Sequence, residues 1–301
     1  MQSAFALSSV PHPLYTGVTV HETNKQVIDE LHANKSIDLP PFYTFNENEY
    51  VIVKGQDGES ALAKYHNRKL RLLDLKYLDR ATDIKPHNKE QYFVTDALMD
   101  DAIKVVCLTG KAGCGKTLLA LAAAIKKIEH KKYNKIILTK PSSQVGRRDL
   151  GILPGTLEEK FMPFLINYMC NFEVIFGDGL QKTQQKVTIE YIFNKYNIQI
   201  VPLQLIRGAS FNNSLVIADE VQVLDYHEML TLGTRMSEGS KLIILGDLNQ
   251  RDEKISKENT GLFKFINSSM VKDKPFTASV HMTKCERGEV SALFSDVFET
   301  D

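Results

Sequence analysis

The sequence predicts an α/β fold, a mainly parallel sheet flanked by helices and preceded by a small β-rich N-terminal region. Three observations carry that expectation. From Lys85 onward, short apolar runs without polar alternation are each followed by a stretch of helical periodicity, as in strands covered on both faces. Gly110-x4-Gly115-Lys116-Thr117 stands between one such run and an Ala/Leu-rich segment, the strand-to-helix setting of a phosphate-binding loop. Residues 1–84 carry instead short strand-like runs around a glycine turn.

In residues 1–84, Lys25–Ala33 reads as a short helix. Tyr50-Val51-Ile52-Val53 and Leu70–Leu75 read as strand-like blocks flanking Gly55 and Gly58. In residues 85–301, Asn88–Asp100 is helical, Lys104–Thr109 a short apolar strand, Lys116–Glu129 a helix and Lys135–Thr139 a buried strand. Thr156–Asn171 opens on Thr-Leu-Glu-Glu, with Thr156 as cap. Ile189–Tyr196 then reads as helix and Ile198–Pro202 and Leu215–Ala218 as strands. Asp225–Thr234 is a helix, Lys241–Leu245 a strand, and the stretch near Glu289–Phe298 is helical. The chain thus divides into an accessory region, 1–84, and a nucleotide-binding domain, 85–301.

Composition narrows the classes. The 301 residues can bury a full core, and Lys plus Arg balance Asp plus Glu at 37 each. No global field therefore draws the chain to nucleic acid or an anionic membrane, and any basic track is local. The longest apolar stretch, around Leu118–Ile125, is far short of the roughly 20 residues of a bilayer span. Met1–Leu7 lacks a basic leader and a long apolar core, so a cytoplasmic protein without membrane attachment is expected. Cys107, Cys114, Cys170 and Cys285 show no metal or disulfide spacing and read as thiols in a reducing compartment. His12, His21, His32 and His66 are scattered and read as surface or packing residues.

The loop at 110–117 places Gly110, Lys111, Ala112, Gly113, Cys114, Gly115, Lys116 and Thr117 around phosphates, with Leu118 opening the helix. Glycines allow the tight turn that points backbone N–H groups inward, and the helix adds its positive end. Lys116 is expected to reach the β- and γ-phosphates of ATP, and Thr117 to place its hydroxyl on Mg²⁺. Cys114 faces the phosphates in this reading, where a helix N-terminus can lower a thiol pKa; the plainer reading is a small residue that fits. Leu215–Ala218 ends in Asp219 and Glu220, on a strand expected beside the loop. Asp219 is assigned to the Mg²⁺ shell and Glu220 to the attacking water. Leu242–Leu245 leads into Gly246-Asp247-Leu248-Asn249-Gln250, where Gln250 can bond the γ-phosphate or the water. Gln91, three residues after Asn88, is assigned to the adenine edge, with simple capping by Asn88 as the alternative. Arg207, Arg235 and Arg287 are the arginines considered for transition-state charge. Spacing does not choose among them, and each taken singly reads more readily as a salt-bridge or RNA-phosphate contact than as the finger.

This series of motifs resembles the PhoH-like P-loop ATPases, relatives of superfamily 1 helicases. The similar run extends from about Ile84 to the C-terminus. It takes in Pro86–Gln91, the phosphate loop, Ile137–Pro141 and Gly151–Lys160, the last more peculiar to that family than any phosphate loop. Pro202-Leu203 through Arg207-Gly208, Asp219–Gln222, Thr234-Arg235 and Gly246-Asp247-x-x-Gln250 complete it. The resemblance implies Mg²⁺-dependent ATP hydrolysis, with Lys116, Glu220, Gln250, Arg235 and Arg287 in the catalytic set. It also implies a homo-oligomeric ring, hexameric in the family, and association with RNA or other single-stranded nucleic acid. Some members carry an N-terminal PIN ribonuclease domain; Val27–Leu31 and Asn46–Val53 resemble the region that follows it, and its acidic cluster is absent, so no ribonuclease centre is expected. The compact layout also resembles bacteriophage PhoH proteins. Cys114 stands where the family has Thr or Ser, and Lys140 where it often has Arg, which Lys cannot copy in a bidentate contact.

Two functions follow. In the first, ATP hydrolysis drives binding, remodelling or unwinding of single strands, with Thr139–Ser143 resembling a helicase phosphate-holding motif and Arg147-Arg148 adding local positive charge. The chain is too short for a second motor domain, so translocation would draw on neighbouring subunits. In the second, ATP drives an assembly switch acting on a protein partner through the β-rich region. A small-molecule kinase fits less well, because the acid pair and Gln250 suit attack by water.

Overall fold

The computed structural model describes residues 13–141, 168–177, 189–251 and 256–286, with 288, 290, 293, 294 and 297. The N-terminal strands are β1 (Val18–Glu22), β2 (Ser36–Asp38), β3 (Tyr50–Lys54), β4 (Ser60–His66) and β5 (Lys69–Leu72). They form one sheet in the order β1-β3-β4-β5-β2. β1 runs parallel to β3 and the other pairs are antiparallel. Helix α1 (Lys25–Asn34) starts where the Asn24 side chain accepts from the Val27 N–H and stops at Lys35, in left-handed backbone. It buries Ile28 and Leu31 against Val51, Val53, Ala61 and Ala63. The strand expected over Leu70–Leu75 ends at Leu72, because Asp74 caps a new helical turn, α2 (Leu75–Leu78).

The second sheet holds β6 (Val105–Gly110), β7 (Lys135–Thr139), β8 (Ile198–Ile200), β9 (Ser214–Ala218), β10 (Lys241–Gly246) and β11 (Thr277–Met282). The order is β11-β6-β10-β9-β7-β8, and every pair is parallel. β9 and β10 are buried along their whole length, which explains their unbroken apolar sequence. On one face lie α3 (Lys89–Met99), α4 (Lys116–Glu129), α5 (168–176) and α6 (Ile189–Lys195). Phe93, Leu121, Ile125, Tyr168, Phe172 and Ile192 share that core. The other face is covered by α7 (Tyr226–Gly233) and α8 (Gly261–Asn267) through Leu232, Leu262, Phe263 and Ile266; α9 (Ser269–Lys272) follows. The expected helix at 156–171 is described only from 168 and runs to 176; Thr156 lies outside the described residues. Of the C-terminal stretch, Val290, Leu293, Phe294 and Val297 are helical and the rest lies outside them.

The two sheets share a core across α3 and β11. The Tyr50 ring stacks on Phe93 with centroids 4.8 Å apart, and its hydroxyl donates to Asp96 Oδ2 at 2.8 Å. Lys64 Nζ sits 2.8 Å from both Asp96 and Asp100, and these carboxylates hold its pKa above the ordinary lysine value against the opposing pull of burial. The Asn48 amide donates to the carbonyls of Pro275 and Thr277, and the His281 N–H to Thr16 O. Gly17 must be glycine, since a Cβ there would lie 1.7 Å from the Ser279 carbonyl oxygen.

α3 is also held from beneath. Fully buried Lys241, first residue of β10, donates to the carbonyls of Ala97, Leu98 and Asp100 at 2.8–2.9 Å. These are C-terminal helix carbonyls without intrahelical partners. Burial, joined by Lys127, pushes the Lys241 pKa down from 10.5 to about 7. The unfolded chain therefore binds more protons between those values, and this group makes stability rise with pH across them. Its contribution is complete above 10.5 and is lost as pH falls through about 7. Lys241→Met is expected to cost about 3 kcal/mol by stranding buried carbonyls. In urea unfolding the gap between wild type and variant should widen as pH rises above about 7.

Candidate functional site

The sheet's carboxyl edge gathers most of the predicted residues into one cleft of about 850 Å³. β6 delivers the phosphate loop. Gly110, Gly113 and Gly115 have φ of 139°, 81° and 95°, so the turn uses backbone that side chains resist. Gly110 is doubly constrained, because a Cβ would lie 2.0 Å from the Met282 carbonyl oxygen of β11. Ala112, Gly113, Gly115, Lys116, Thr117 and Leu118 line the cleft. Lys116 Nζ donates to the carbonyls of Gly110 and Lys111 at 2.6 and 2.8 Å, which holds the ammonium over the loop. Cys114 fits the plainer of its two readings. Its side chain is fully buried, its Sγ donates to Lys111 O at 3.0 Å, and burial raises its pKa, so it is a packing residue rather than an activated thiol.

The acid pair arrives from β9, which is not beside the loop strand as expected: β10 lies between them. The hydroxyl of Thr117 nevertheless donates to Asp219 Oδ2 at 3.2 Å, spanning the intervening strand. A hydroxyl and a carboxylate side by side are oxygen donors of the kind Mg²⁺ takes, and could supply two of its six ligands. Burial, then the neighbouring Glu220, raises the Asp219 pKa; Lys140 and hydrogen bonds from the Glu220 N–H and Thr117 oppose the rise. Glu220 sits in left-handed backbone, φ 58° and ψ 38°, a costly conformation for a side-chain-bearing residue. Its backbone N–H bonds Asp219 Oδ1 at 2.9 Å, and Lys140 Nζ stands 3.7 Å from its Oε1.

Gln222 was quoted in the sequence only as part of a motif, yet it joins the ends of β9 and β10. Fully buried, it donates to Glu220 Oε2 at 2.7 Å and accepts from the Asp247 N–H at 3.1 Å. Its buried amide two residues beyond the acid pair needed both a donor and an acceptor partner, the one sequence signal available. Gly246, at the end of β10, lies against it. Gln250 follows in a 3-10 turn (Leu248–Gln250) and lines the cleft.

A clasp closes the opposite side. Asn88 caps α3 by accepting from the Gln91 N–H. The Gln91 side chain accepts from the His87 N–H at 2.8 Å and donates to Cys114 O at 3.2 Å, so both ends of the amide assigned to adenine engage the protein while the residue lines the cleft. Glu90 accepts from the Thr283 N–H and hydroxyl and from the Lys284 N–H. The Glu286 N–H donates to Gly113 O at 3.1 Å, and hydrogen bonds from Asn88 and Lys284 hold the Glu286 carboxyl below its usual range. The segment after β11 thus buttresses the phosphate loop, although no strand was expected at Thr277–Met282.

The arginines are not gathered. Arg207 is exposed and Arg235 is half-buried beyond α7, bonding Thr234, and neither lines the cleft. Arg287 lies outside the described residues, as do Ser142, Ser143, Arg147, Arg148 and Gly151–Lys160. Among the described residues no cluster of three or more His, Cys, Asp or Glu could hold a metal, and no helix is long and apolar enough to cross a membrane.

A family model described as PhoH-like protein matches residues 83–299. Protein PhoH2 of Bacillus subtilis is 32% identical over 292 residues, covering 94% of this chain and 64% of that protein. Protein PhoH2 of Mycolicibacterium smegmatis is 29% identical over 287 residues, covering 95% and 63%. The chain therefore spans less than two thirds of the length of these relatives. Among solved structures, the Pif1 helicase from Candida albicans aligns over 71% of this chain and 43% of its own, at 16% identity and a TM-score of 0.34, a likeness too low to carry weight.

Gln222→Leu keeps the volume but strands the buried Asp247 N–H and removes a donor from Glu220. Urea unfolding is expected to show a loss of about 1–3 kcal/mol. A variant as stable as wild type would mean that the bridge carries no load.

Proposed function

The chain belongs to the PhoH-like protein family, and on that premise we propose that it hydrolyses ATP at this cleft and couples turnover to single-stranded RNA or another nucleic acid. The observation that carries the reading is the Thr117–Asp219 hydrogen bond beside Glu220, at the mouth of a loop whose glycines are already in phosphate-cradling backbone. In this reading the loop N–H groups and Lys116 bind the β- and γ-phosphates. Thr117 and Asp219 would hold Mg²⁺, which supplies charge neutralisation on the phosphate oxygens. Glu220 accepts the proton of the water that attacks the γ-phosphorus, the bond to the ADP oxygen breaks, and ADP and phosphate leave. Gln250 bonds the γ-phosphate or the water, and the Gln222 bridge links the base to the strand that carries it.

Arg207 and Arg235 do not line the cleft of their own chain; in this reading the finger is Arg235 or Arg287 supplied by a neighbouring subunit of a homo-oligomeric ring, as the family resemblance implies. Nucleic-acid coupling rests on family membership and on local positive charge, since the chain has no net charge.

The test is ATPase activity of the purified chain with and without single-stranded RNA and DNA. Lys116→Ala is expected to lose ATP binding. Glu220→Gln is expected to keep binding while turnover falls by about 10²-fold or more. Retained hydrolysis in Glu220→Gln would remove it as the base. A rate indifferent to nucleic acid, with no single-strand binding, would favour the alternative of an ATP-driven assembly switch acting on a protein partner.

A further inference from the structure

We propose that the flank formed by β5 and α2 binds single-stranded nucleic acid, with Lys35, Arg68, Arg71, Lys76 and Arg80 on the phosphates and Tyr77 under a base. The inference rests on the proposed coupling of ATP turnover to a single strand and gives that strand a place on this chain.

Charge marks the flank. The chain has no net charge, yet residues 68–80 hold five cations against two carboxylates. Both carboxylates are occupied. Asp74 caps α2 by accepting from the Tyr77 N–H, and Asp79 takes the Tyr92 hydroxyl at 2.5 Å and stands 3.3 Å from Lys85. The neighbouring acids are engaged as well, Asp38 with Lys69 and Glu47 with His66. Lys35, Arg68, Arg71, Lys76 and Arg80 are exposed, and none of them forms a salt bridge among the described residues.

The fold sets these cations in a row. Arg68 lies in the turn where His66 of β4 pairs with Lys69 of β5. Arg71 follows on β5 opposite Ser36, and the Leu72 N–H donates to Lys35 O, which brings Lys35 alongside. Buried Leu73 and Leu78 seat α2 directly after β5, with Lys76, Tyr77 and Arg80 left outside the core. Like charges grouped in this way repel, and a polyanion laid along them relieves the repulsion.

Tyr77 selects the kind of polyanion. Its ring is 56% exposed, in a turn flanked by Lys76 and Arg80. A duplex keeps its base faces stacked on one another, whereas a single strand can lay a base on such a ring while its phosphates meet the cations. The flank also leads to the ATP cleft. Asp79 ties the end of α2 to Tyr92 of α3 and to Lys85, and Asp83, Ile84 and Lys85 line the cleft. A strand held on α2 thus bears on a wall of the nucleotide site.

The test is fluorescence anisotropy of labelled oligouridylate and oligothymidylate across a salt series, with ATPase assays alongside. Wild type is expected to bind both, because phosphates and base faces are common to RNA and DNA. In Arg71→Gln/Lys76→Gln/Arg80→Gln the affinity should fall about tenfold or more. Its dependence of log affinity on log salt should lose about 2 in slope, at roughly 0.7 per phosphate contact. Tyr77→Ala should bind about tenfold more weakly, the scale of one base stacked on a ring, and Tyr77→Phe should bind as wild type does. Lys264→Gln/Lys274→Gln, which removes exposed cations of α8 and of the turn after α9, should change neither affinity nor slope. Unaltered affinity and slope in the triple variant, with a wild type that binds and is stimulated, overturn the inference and leave the coupling standing. An equal loss in the Lys264 and Lys274 variant, tighter binding of duplex, or a Tyr77→Phe as weak as Tyr77→Ala also overturns it. A wild type that binds neither oligonucleotide overturns the reading on which the inference rests, and the inference with it.

Discussion

The parallel pairing of β10 with β6 on one side and β9 on the other is the constraint from which the site follows. Gly246 is level with Thr109 and Ile244 with Ala218, so the phosphate loop, the acid pair and Asp247 leave the sheet at one edge. A slip of one residue in either pairing would turn the buried face of a strand outward and carry its terminal polar group away from the cleft. β11 fixes the register from the far side: Met282 pairs with Gly110 so closely that only glycine fits there.

Around that edge the polar groups hold one another. Gln222 fixes the separation of Glu220 from Asp247, and the left-handed backbone at Glu220 is tolerated because the Asp219 carboxylate takes its N–H. The helix behind the loop is anchored at both ends. Gln91 and Glu90 tie its start to the loop and to the segment after β11, while Lys241 and the Lys64–Asp100 pair tie its finish. Through Tyr50, Lys64 and Asn48 the N-terminal sheet becomes part of that support, so its load-transmitting surface is the one turned toward α3 and β11.

Much of this was legible in the chain because the signals are local. Buried parallel strands read as unbroken apolar runs, which located β7, β9 and β10 nearly to the residue, and Lys116–Glu129 matches α4 at both ends. β11 was not legible, since Thr-Ala-Ser-Val-His-Met lacks the apolar density of its neighbours; its place comes from long-range pairing with β6. β4, with Ala and Lys in place of β-branched residues, failed for the same reason. Strand order is likewise a tertiary property, so the insertion of β10 between β6 and β9 left no local trace. The roles of Cys114 and Gln91 turned on burial and on partners distant in sequence, whereas Thr117 and Asp219, each assigned from its motif to one Mg²⁺ shell, do come within hydrogen-bond distance.

The claim that three strand ends form a single nucleotide site is most directly tested by hydrogen exchange with and without a non-hydrolysable ATP analogue and Mg²⁺. The account predicts that the analogue slows exchange together at residues 110–117, 218–222 and 246–250, with the outer strands of the N-terminal sheet unaffected. Protection confined to 110–117, leaving 218–222 and 246–250 unchanged, would contradict it.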